Sequence, residues 1–444
     1  RLFVESSGPL FLNMEIILCL VFSIKNHSTS IIKMFLFQYF CLNFSFSVLL
    51  KHSAINLKQK PYTNKQSPTV TILIPAYNEE KSIKATMQSI LESDYPEEKL
   101  EIIVIDNSST DQTLKLAKEF KKDFKGKNKI KIFTEKQQGK GYALNLGISQ
   151  AKGEIIVSMD ADTFVEPYSL KNMVKYFKDP QIMSVSPAIV IHKPKNILQR
   201  VQYIEYVIGL FLRKTFAILN AIHITPGAFS AYRASFFKEH GGYETENITE
   251  DLELAMRIQY YQYKIENSPE SPAYTIAPNK FSHLLKQRRR WYIGLMKNMR
   301  KYKKLFSKDY GDMGIFVLPI AWISIFFAVF ITLFFFIKTI LDIGKEINFL
   351  KSINFDLGNL LNINYYFWER LAFLLFTNTI FIFIIIFILI ILAYLFYASK
   401  KLGKVSGLAI NLPLFFIFFA VLFGFWWIVS LFYMIFNGGK VSWK

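Results

Sequence analysis

The sequence predicts an α/β domain with a mainly parallel, Rossmann-like sheet, inserted between transmembrane α-helices. Between residues 69 and 159, short β-branched runs alternate with apolar patterns of helical period. Near the C-terminus, three apolar runs each exceed the roughly 20 residues that cross a bilayer as a helix. Strands that alternate with helices at this spacing are typical of a doubly wound sheet, which binds ligands beyond the carboxyl ends of its strands.

The composition excludes several classes of protein. Hydrophobic residues make up 52% of the 444 residues and 44 residues are Phe, which excludes a disordered or collagen-like chain. The two cysteines, Cys19 and Cys41, give no disulfide or metal pattern. The net charge of +19 favours anionic partners, but basic residues also collect in cytoplasmic loops of membrane proteins. Because the sequence carries no nucleic-acid-binding motif, we expect no nucleic-acid partner.

The elements of the α/β domain follow in order from residue 70. The predicted strands are Val70–Ile74, Ile102–Ile105, Lys129–Phe133 and Ile155–Ser158, and the helices between them are Glu80–Ser93, Asp111–Phe124 and Tyr142–Ala151. Thr110 is expected to cap the second helix. Three further helices are predicted at Ile197–Leu219, Thr249–Tyr263 and Leu284–Leu305. The first and the last of these combine apolar and basic residues, so we expect them to lie along a membrane surface.

The apolar segments divide the chain into five parts. The C-terminal runs are Ile315–Leu341, Leu371–Ala398 and Leu408–Phe436, and an N-terminal span is predicted at Ile31–Leu50. Pro9–Ile24 is shorter and either spans, lies in the interface or is signal-like. The predicted parts are an N-terminal membrane segment (1–50), a linker (51–67), a catalytic domain (68–280), an interface helix (281–310) and a C-terminal region of about three spans (311–444).

Charge predicts the topology of these spans. Lysine and arginine crowd residues 297–308 and 400–404, and such clusters stay in the cytoplasm. We therefore expect a multi-pass protein of the plasma membrane, bound to the lipid bilayer, with its α/β domain in the cytoplasm.

Acidic residues follow two of the predicted strands at the point where each strand ends. Asp106 follows the second strand, and Asp160-Ala161-Asp162 follows the fourth. In an open α/β sheet, a carboxylate at this position faces the ligand crevice. Mg²⁺ and Mn²⁺ prefer oxygen ligands and often bind one or two carboxylates together with substrate phosphates. The pattern leaves a divalent-metal site and an ordinary solvated turn both open.

Four further motifs each allow a structural and a chemical interpretation. The turn Pro75–Glu79 is either a plain strand–helix connection or part of a nucleotide pocket. Gly139-Lys140-Gly141 opens a helix, where backbone amides and a lysine favour phosphate. Thr249-Glu250-Asp251 is either an N-cap followed by dipole-complementing acids or a catalytic acidic group. The segment Gln287–Trp291 suits a membrane interface, and equally an arginine for diphosphate beside an aromatic face for a sugar.

The order of these motifs resembles the membrane-integrated family 2 glycosyltransferases, the group of cellulose, hyaluronan, chitin and poly-N-acetylglucosamine synthases. The resemblance covers about Thr69 to Trp291 together with the flanking spans. It rests on the Pro75–Glu79 turn, Asp106, Lys140 with Asn145, Asp160-Ala161-Asp162, Gly227-Ala228-Phe229, Thr249-Glu250-Asp251, and Gln287 with Arg290-Trp291.

The resemblance implies a GT-A fold, a nucleotide-diphosphate sugar donor, usually uridine-linked, and a Mg²⁺ or Mn²⁺ cofactor. The implied nucleotide-sugar-binding residues are Ala76, Tyr77, Glu79, Asp106, Lys140, Asp160, Gln287 and Arg290. The implied metal ligands are Asp162 and Asp160, and the implied catalytic residues are the general base Asp251 and its neighbour Glu250. The acceptor is implied to lie at Gly227, Ala228, Phe229 and Trp291.

The implied activity is inverting transfer of the sugar to a growing β-linked polysaccharide. The resemblance leaves open whether this transfer is coupled to translocation of the polysaccharide across the membrane. A gating-loop motif of cellulose synthases has no clear equivalent here. An alternative is the addition of a single sugar to a membrane lipid such as a polyprenyl phosphate. A channel or transporter with a nucleotide-sensing domain is a third hypothesis, which the scarcity of charges within the C-terminal runs disfavours.

Overall fold

A computed structural model describes residues 67–126, 129–352, 379–402 and 407–438, together with six single positions between 354 and 373. The N-terminal membrane segment predicted at 1–50 and the linker up to residue 66 lie outside the described residues. By their contacts, the described residues up to Thr332 and from Tyr397 onward belong to one compact unit, and those from Leu333 to Phe396 belong to another.

Within the described part of the chain, eight strands form one sheet in the order β3-β2-β1-β4-β7-β6-β8-β5. The strands are β1 Val70–Ala76, β2 Leu100–Asp106, β3 Lys129–Thr134, β4 Ile155–Met159, β5 Phe164–Val165, β6 Ile182–Ile191, β7 Phe229–Arg233 and β8 Lys264–Thr275. The helices of the α/β domain are α1 Ile83–Leu91, α2 Thr113–Asp123, α3 Lys140–Gln150, α4 Ser169–Val174, α5 Ile197–Ile218, α6 Ala234–His240, α7 Glu250–Tyr260 and α8 Phe281–Lys301.

The first half of the sheet confirms the predicted parallel arrangement. β1 pairs in parallel with β2 and β4, and β2 pairs in parallel with β3. Their β-branched side chains are buried on both faces, because Ile72 packs with α1 and α2 in one cluster and Leu73 packs with α3, α6 and α7 in another. Helices therefore cover both faces, as in other parallel sheets, and the carboxyl ends of β1, β2 and β4 meet at one edge.

The second half of the sheet adds antiparallel pairs to described ladders that are mainly parallel, since β6 also pairs in parallel with β8. β7 pairs antiparallel with β4 and β6, and β5 pairs antiparallel with β8, so the sheet is mixed. Local sequence pattern does not predict β6 or β8, because Pro187 lies in β6 and Pro269 and Pro272 lie in β8. Proline is usual only at strand edges and bulges, and the β6–β8 ladder does shift register between Ser186 and Ala188.

The predicted cap of the second helix, Thr110, is wrong by two residues. α2 begins at Thr113, with Gln112 in the cap position. The carboxylate of Asp111 accepts hydrogen bonds from both the backbone N–H and the hydroxyl of Thr113. Asp111, rather than Thr110, therefore satisfies the first turn, as a short acidic side chain two residues upstream can.

Within the ranges that the structure describes, three apolar helices follow α8: α9 Leu318–Ser352, α10 Thr379–Leu402 and α11 Leu408–Phe436. The last has the predicted bounds, whereas α9 runs eleven residues beyond the predicted Leu341. Among the described residues, the stretch Met313–Ser352 is long and apolar enough to cross a membrane. A second candidate is a pair, Leu408–Phe419 and Leu422–Phe436, bent by 40°. α11 also packs on α5 and α8 of the α/β domain.

Candidate active site

The predicted site residues converge at the edge of the sheet where β1, β2 and β4 end. β7 runs antiparallel to β4, so its beginning lies at the same edge, and Phe229 pairs with Met159. The backbone N–H of Asp160 donates to the carbonyl of Ala228 over 3.0 Å. The antiparallel pairing therefore brings Gly227-Ala228-Phe229 directly beside the Asp160-Ala161-Asp162 motif.

Lys140 joins carboxylates from two motifs. Its Nζ lies 2.6 Å from Oδ1 of Asp160 and 3.4 Å from Oε1 of Glu250. Burial disfavours the charged amine, but Asp160, Glu250 and Asp251 outweigh it and hold the pKa of Lys140 above its usual value. The lysine is therefore a fixed positive charge within a cluster of three carboxylates.

The start of α3 is held in place by Asn107, which directly follows β2. The Asn107 side chain accepts a hydrogen bond from the N–H of Gly139 over 2.8 Å and donates to the carbonyl of Gln137 over 2.7 Å. Gly139 has a φ of 140°, which residues with a side chain rarely adopt. These two hydrogen bonds fix the turn from which Lys140 extends. The sequence analysis did not identify Asn107.

Glu250 and Asp251 form the first turn of α7 and differ in environment. Asp251 is partly exposed, and its two oxygens accept hydrogen bonds from the N–H groups of Gly227 (3.1 Å) and Leu252 (2.9 Å). Glu250 is buried, and burial raises its pKa against the opposing charges of Lys140 and Arg290. The two neighbouring carboxylates are therefore separated into a buried, ion-paired group and an accessible one.

Gly227 fills the gap between Lys140 and Asp251. A Cβ on this residue would lie 2.6 Å from Nζ of Lys140 and 3.4 Å from Oδ2 of Asp251. The first distance is shorter than real Cβ contacts, so a larger residue would push the ammonium group out of place. The close approach of backbone to the ion pair requires glycine at this position.

Asp162 lies near two other carboxylates. Burial, together with the charges of Asp160 and Glu79, raises the pKa of the Asp162 carboxyl to about 7. Among the described residues, no three His, Cys, Asp or Glu side chains are grouped closely enough to hold a metal ion by themselves. Two crowded carboxylates suit a hard divalent cation only if other oxygen ligands complete its coordination.

The turn after β1 lies beside the end of β2. Ala76 is buried and pairs with Asp106 across the two strands, and Tyr77 follows it half-buried. One oxygen of the buried Asp106, Oδ1, has no hydrogen-bond partner among the described residues. A buried carboxylate oxygen without a donor is costly, and it indicates a donor group supplied by a ligand.

Glu79 closes the same turn. Its backbone N–H donates to the hydroxyl of Thr113 over 2.7 Å, and its carboxylate accepts from the hydroxyl of Ser82 over 3.0 Å. The preceding Asn78 has a φ of 56°, in the left-handed region that asparagine tolerates. The turn is therefore anchored to α2, with the Glu79 carboxylate on the side of Asp162.

The arginines of the segment Gln287–Trp291 face different partners. Arg290 donates from Nη1 to the carbonyl of Ile248 over 3.1 Å, next to Glu250. Arg288 is buried, forms two hydrogen bonds of 2.7 and 2.8 Å with Glu205 on α5, and lies 4.6 Å from the ring centre of Trp291. Oε1 of Gln287 is buried and has no partner among the described residues.

Sequence reasoning missed the Arg288–Glu205 pair and gave Asn145 no function. Asn145 accepts from the N–H of Tyr243 over 2.7 Å and donates to its carbonyl over 2.8 Å. It thereby ties α3 to the segment that leads into α7. Nothing in the sequence marks such a partner 98 residues away, whereas the spacing of Arg288 and Trp291 by three residues does indicate that they share a helix face.

Part of the chain that includes this edge of the sheet matches a known protein family. Residues 71–241 match the family described as Glycosyl transferase family 2. Poly-beta-1,6-N-acetyl-D-glucosamine synthase of Staphylococcus epidermidis is 32% identical over 251 residues, which are 54% of this chain and 59% of the relative. The synthase of the same name from Staphylococcus aureus strain COL is 32% identical over 245 residues, which are 54% and 58% of the two chains. The alignments thus span less than two thirds of these relatives.

Solved structures give weaker likenesses. The mannosyltransferase PcManGT from Pyrobaculum calidifontis, in complex with GDP-Man and Mn²⁺, has 21% identity and a TM-score of 0.49, covering 82% of this chain and 97% of its own. TarS 1–349 of S. aureus has 17% identity and a TM-score of 0.37, covering 55% and 74%.

The matched residues 71–241 include the turn after β1, Asp106, Lys140, the two aspartates after β4 and the glycine before β7. These are the residues that the fold gathers at one edge of the sheet. The chain therefore carries a glycosyl transferase family 2 domain.

Proposed function

We propose that this chain is an inverting glycosyltransferase that moves a sugar from a nucleotide-diphosphate sugar to a growing β-linked polysaccharide. One observation carries the proposal. The Lys140 ammonium group lies within ion-pair distance of Asp160 and Glu250, and Gly227 donates to Asp251 beside it. Three segments far apart in sequence thus contribute to one charged cluster next to an accessible carboxylate.

The donor nucleotide occupies the edge formed by Ala76, Tyr77, Glu79 and Asp106. The unpartnered oxygen of Asp106 supports this placement, because a base N–H would satisfy it. Lys140 supplies a positive charge for the phosphates, and Asp160 lies beside it for the ribose. Gln287 and Arg290, on α8, are proposed to hold the diphosphate, which matches the fork of donors on an arginine.

Asp162 and Asp160 are proposed to hold Mg²⁺ or Mn²⁺. The raised pKa of Asp162 supports this assignment, since carboxylates that crowd one another in a buried place are stabilised by a cation. Because too few protein ligands are grouped to complete a coordination sphere, the donor diphosphate would supply the remaining oxygens. A bound divalent ion would neutralise charge that builds on the departing diphosphate.

Asp251 is proposed as the general base. It accepts the proton of an acceptor hydroxyl while that oxygen bonds to the anomeric carbon and the bond to the diphosphate oxygen breaks. Direct displacement inverts the anomeric centre. Glu250 is buried against Lys140 and acts through its charge. Gly227, Ala228 and Trp291 are proposed to line the acceptor side, whereas Phe229, which was expected there too, is buried in the hydrophobic core.

The acceptor is proposed to be a polysaccharide because the Staphylococcus relatives are named poly-beta-1,6-N-acetyl-D-glucosamine synthases. Their name makes UDP-N-acetylglucosamine the first donor to test. We also propose that the chain is a multi-pass plasma-membrane protein, with the domain predicted at 68–280 in the cytoplasm. The basic residues between Lys297 and Lys308 support this orientation.

A second candidate is single transfer to a lipid acceptor. It is favoured by two exposed apolar side chains near the start of α8, Ile276 and Phe281, which are 52% and 46% exposed. Apolar residues at this position suit contact with acyl chains at a membrane surface.

A donor screen tests these proposals. Purified protein in nanodiscs receives UDP-N-acetylglucosamine, UDP-glucose, UDP-glucuronate or GDP-mannose, with Mg²⁺, Mn²⁺ or EDTA, and nucleotide release and product size are measured together. We expect release of UDP with a high-mass polymer, and its loss in EDTA. A small product that extracts into organic solvent would instead establish the lipid acceptor.

The variant Asp251→Asn tests the mechanism, with Asp309→Asn, an exposed carboxylate, as the matched control. Loss of a general base is expected to lower kcat by at least about 100-fold, while Asp309→Asn retains activity. Unchanged turnover in Asp251→Asn would contradict the assignment of the base.

A further inference from the structure

We propose that one face of α8 sets the position of Asp251, and that Gly294 and Asn298 are positioning residues for this carboxylate. The inference rests on the proposed function, in which Asp251 is the general base. It assigns a role to two residues outside the motifs that the sequence analysis identified.

Three consecutive residues, 247–249, lead into α7 and together contact three successive turns of α8. The carbonyl of Ile248 accepts from Arg290, as described above. One turn further, a Cβ on Gly294 would lie 2.2 Å from Oγ1 of Thr249, so only glycine allows this approach. One turn further still, Asn298 accepts from Nδ2 of Asn247 over 2.8 Å and donates to Oγ1 of Thr249 over 3.0 Å.

The spacing of these contacts follows from helix geometry. Arg290, Gly294 and Asn298 are four residues apart, so they lie on one face of α8. The residues 247–249 together contact that face at all three turns, and Asp251 follows two residues later. The position of the base along α8 is therefore determined by contacts at three successive turns.

The hydroxyl of Thr249 bonds to α8 and does not cap its own helix, α7. Thr249 occupies the N-cap position of α7, but its side chain makes no capping hydrogen bond. Its hydroxyl instead accepts from Asn298, and both side chains are buried, with exposures of 2% and 1%. A threonine at an N-cap normally binds its own helix, whereas the Thr249 hydroxyl is used for the contact with α8.

The other side of α8 is anchored independently. Tyr292 stacks on Trp427 of α11 with ring centres 4.2 Å apart and planes at 1°, and Arg289 lies 4.0 Å from the ring centre of Tyr433. Arg288 is tied to Glu205 on α5. A helix held from both sides is a rigid support, and catalysis is sensitive to displacements of about 1 Å in a reacting group.

The test compares Asn298→Ala with Asn267→Ala, a second buried asparagine whose side chain bonds to Ser186 and Pro187 in the sheet. Both variants are expected to lose thermal stability. Per folded protein, only Asn298→Ala should lower kcat, by about 10- to 100-fold, with the donor KM within about twofold.

A compensating pair tests the close approach itself. Gly294→Ala is expected to lower kcat more than Thr249→Ala does, because the added methyl displaces the threonine side chain. In Gly294→Ala/Thr249→Ala the hydroxyl and γ-methyl that lie 2.2 and 2.4 Å from the new methyl are gone, and only the Cβ of residue 249 remains close, at 2.9 Å. The kcat should therefore recover most of the way to the level of Thr249→Ala. A double variant as impaired as Gly294→Ala would contradict the proposal.

Amide hydrogen exchange over residues 247–252 provides a readout that does not depend on activity. Exchange there should rise in Asn298→Ala and stay unchanged in Asn267→Ala. Equal exchange in Asn298→Ala and the parent chain, or a donor KM that rises while kcat is unchanged, would overturn the positioning role. Failure of the proposed function is seen separately, as no turnover with any donor or full turnover in Asp251→Asn.

Discussion

At the scale of single residues, Lys140 supplies the positive charge that balances the carboxylates of the site. Its ammonium group is the cation closest to the buried Glu250, and it also pairs with Asp160, whose side chain is 35% exposed. Removing one partner of a buried ion pair costs more than the pair contributes, because the remaining charge is left without compensation. This asymmetry makes the lysine testable by stability as well as by activity.

We expect Lys140→Met to lower the free energy of unfolding by about 2–3 kcal/mol at neutral pH, less than for a fully buried pair because Asp160 is partly solvated. Loss of the cation raises the pKa of Glu250 further above its unfolded value. A protein with such a carboxyl group becomes less stable as pH rises from the unfolded-state pKa through the folded-state pKa of the group. The loss in free energy of unfolding should therefore be larger at pH 8 than at pH 5. Thermal unfolding at both pH values measures it.

The double variant Lys140→Met/Glu250→Gln is the control for this prediction. It removes the buried charge along with its partner, so it should be more stable than Lys140→Met and depend less on pH. A deficit that is equal at pH 5 and pH 8 would show that the cost does not come from an unpaired carboxylate.

Gly227→Ala tests the space beside the same lysine. The new methyl would displace the ammonium group, so we expect kcat/KM to fall by about 10- to 100-fold and stability to fall by about 1–3 kcal/mol. In Gly209→Ala on α5, by comparison, the methyl meets Arg213 at an ordinary 3.7 Å. That control should keep its activity, and full activity in Gly227→Ala would contradict the proposed crowding.

At the scale of elements, β1 to β4 could be predicted from the sequence, whereas β5 to β8 could not. Strands such as β1 and β2 are continuous apolar runs between helical patterns, which local periodicity detects. By contrast, β8 begins at Lys264 with the sequence Lys-Ile-Glu-Asn-Ser-Pro-Glu-Ser-Pro. It pairs with β6 through a ladder that shifts register at two places. Its pairing depends on residues about 80 positions away, which no local pattern contains.

The candidate site divides in the same way. The charged residues at strand ends and helix starts were predictable, because a fold that joins those ends brings them together. The amides of Asn107, Asn145 and Asn298 were not, since a buried asparagine is defined by its partner across the fold. The same holds for Glu205, whose partner Arg288 was assigned only to a membrane interface.

The Arg288–Glu205 pair links α5 to α8 and predicts a measurable coupling between them. Arg288→Met should lower stability by about 3 kcal/mol, because Glu205 is left beside buried apolar groups. Arg288→Lys should recover only part of this, since lysine cannot form two parallel hydrogen bonds with a carboxylate. The measurement is unfolding by heat or denaturant.

The matched control is Lys171→Met, which breaks an exposed ion pair with Asp94 and should cost at most about 1 kcal/mol. Arg288→Met/Glu205→Gln should be more stable than Arg288→Met. If Arg288→Met were as mild as Lys171→Met, the pair would not hold the two helices together.

At the scale of the whole molecule, α9 exposes a large apolar surface. The stretch Met313–Ser352 on and before α9 is strongly apolar, and only 6% of its most apolar part is buried. Phe326 and Phe330 on α9 are 64% and 51% exposed. Contiguous apolar surface of this kind is rare on soluble monomers. A net charge of +19 allows a different attachment, by attraction to anionic lipid headgroups.

The two modes of attachment predict different extraction. Surface charges are screened at 1 M salt, where the Debye length is about 3 Å, whereas burial of apolar helices is not. We therefore expect the chain to stay in the membrane fraction through 1 M NaCl and alkaline carbonate and to leave it only in detergent. Phe326→Lys/Phe330→Lys should weaken insertion by about 2.5–3.5 kcal/mol per lysine near a helix centre, while Gln150→Lys on the exposed end of α3 should change nothing. Release by salt alone would mean that α9 does not enter the bilayer, and that its apolar surface is covered by protein instead.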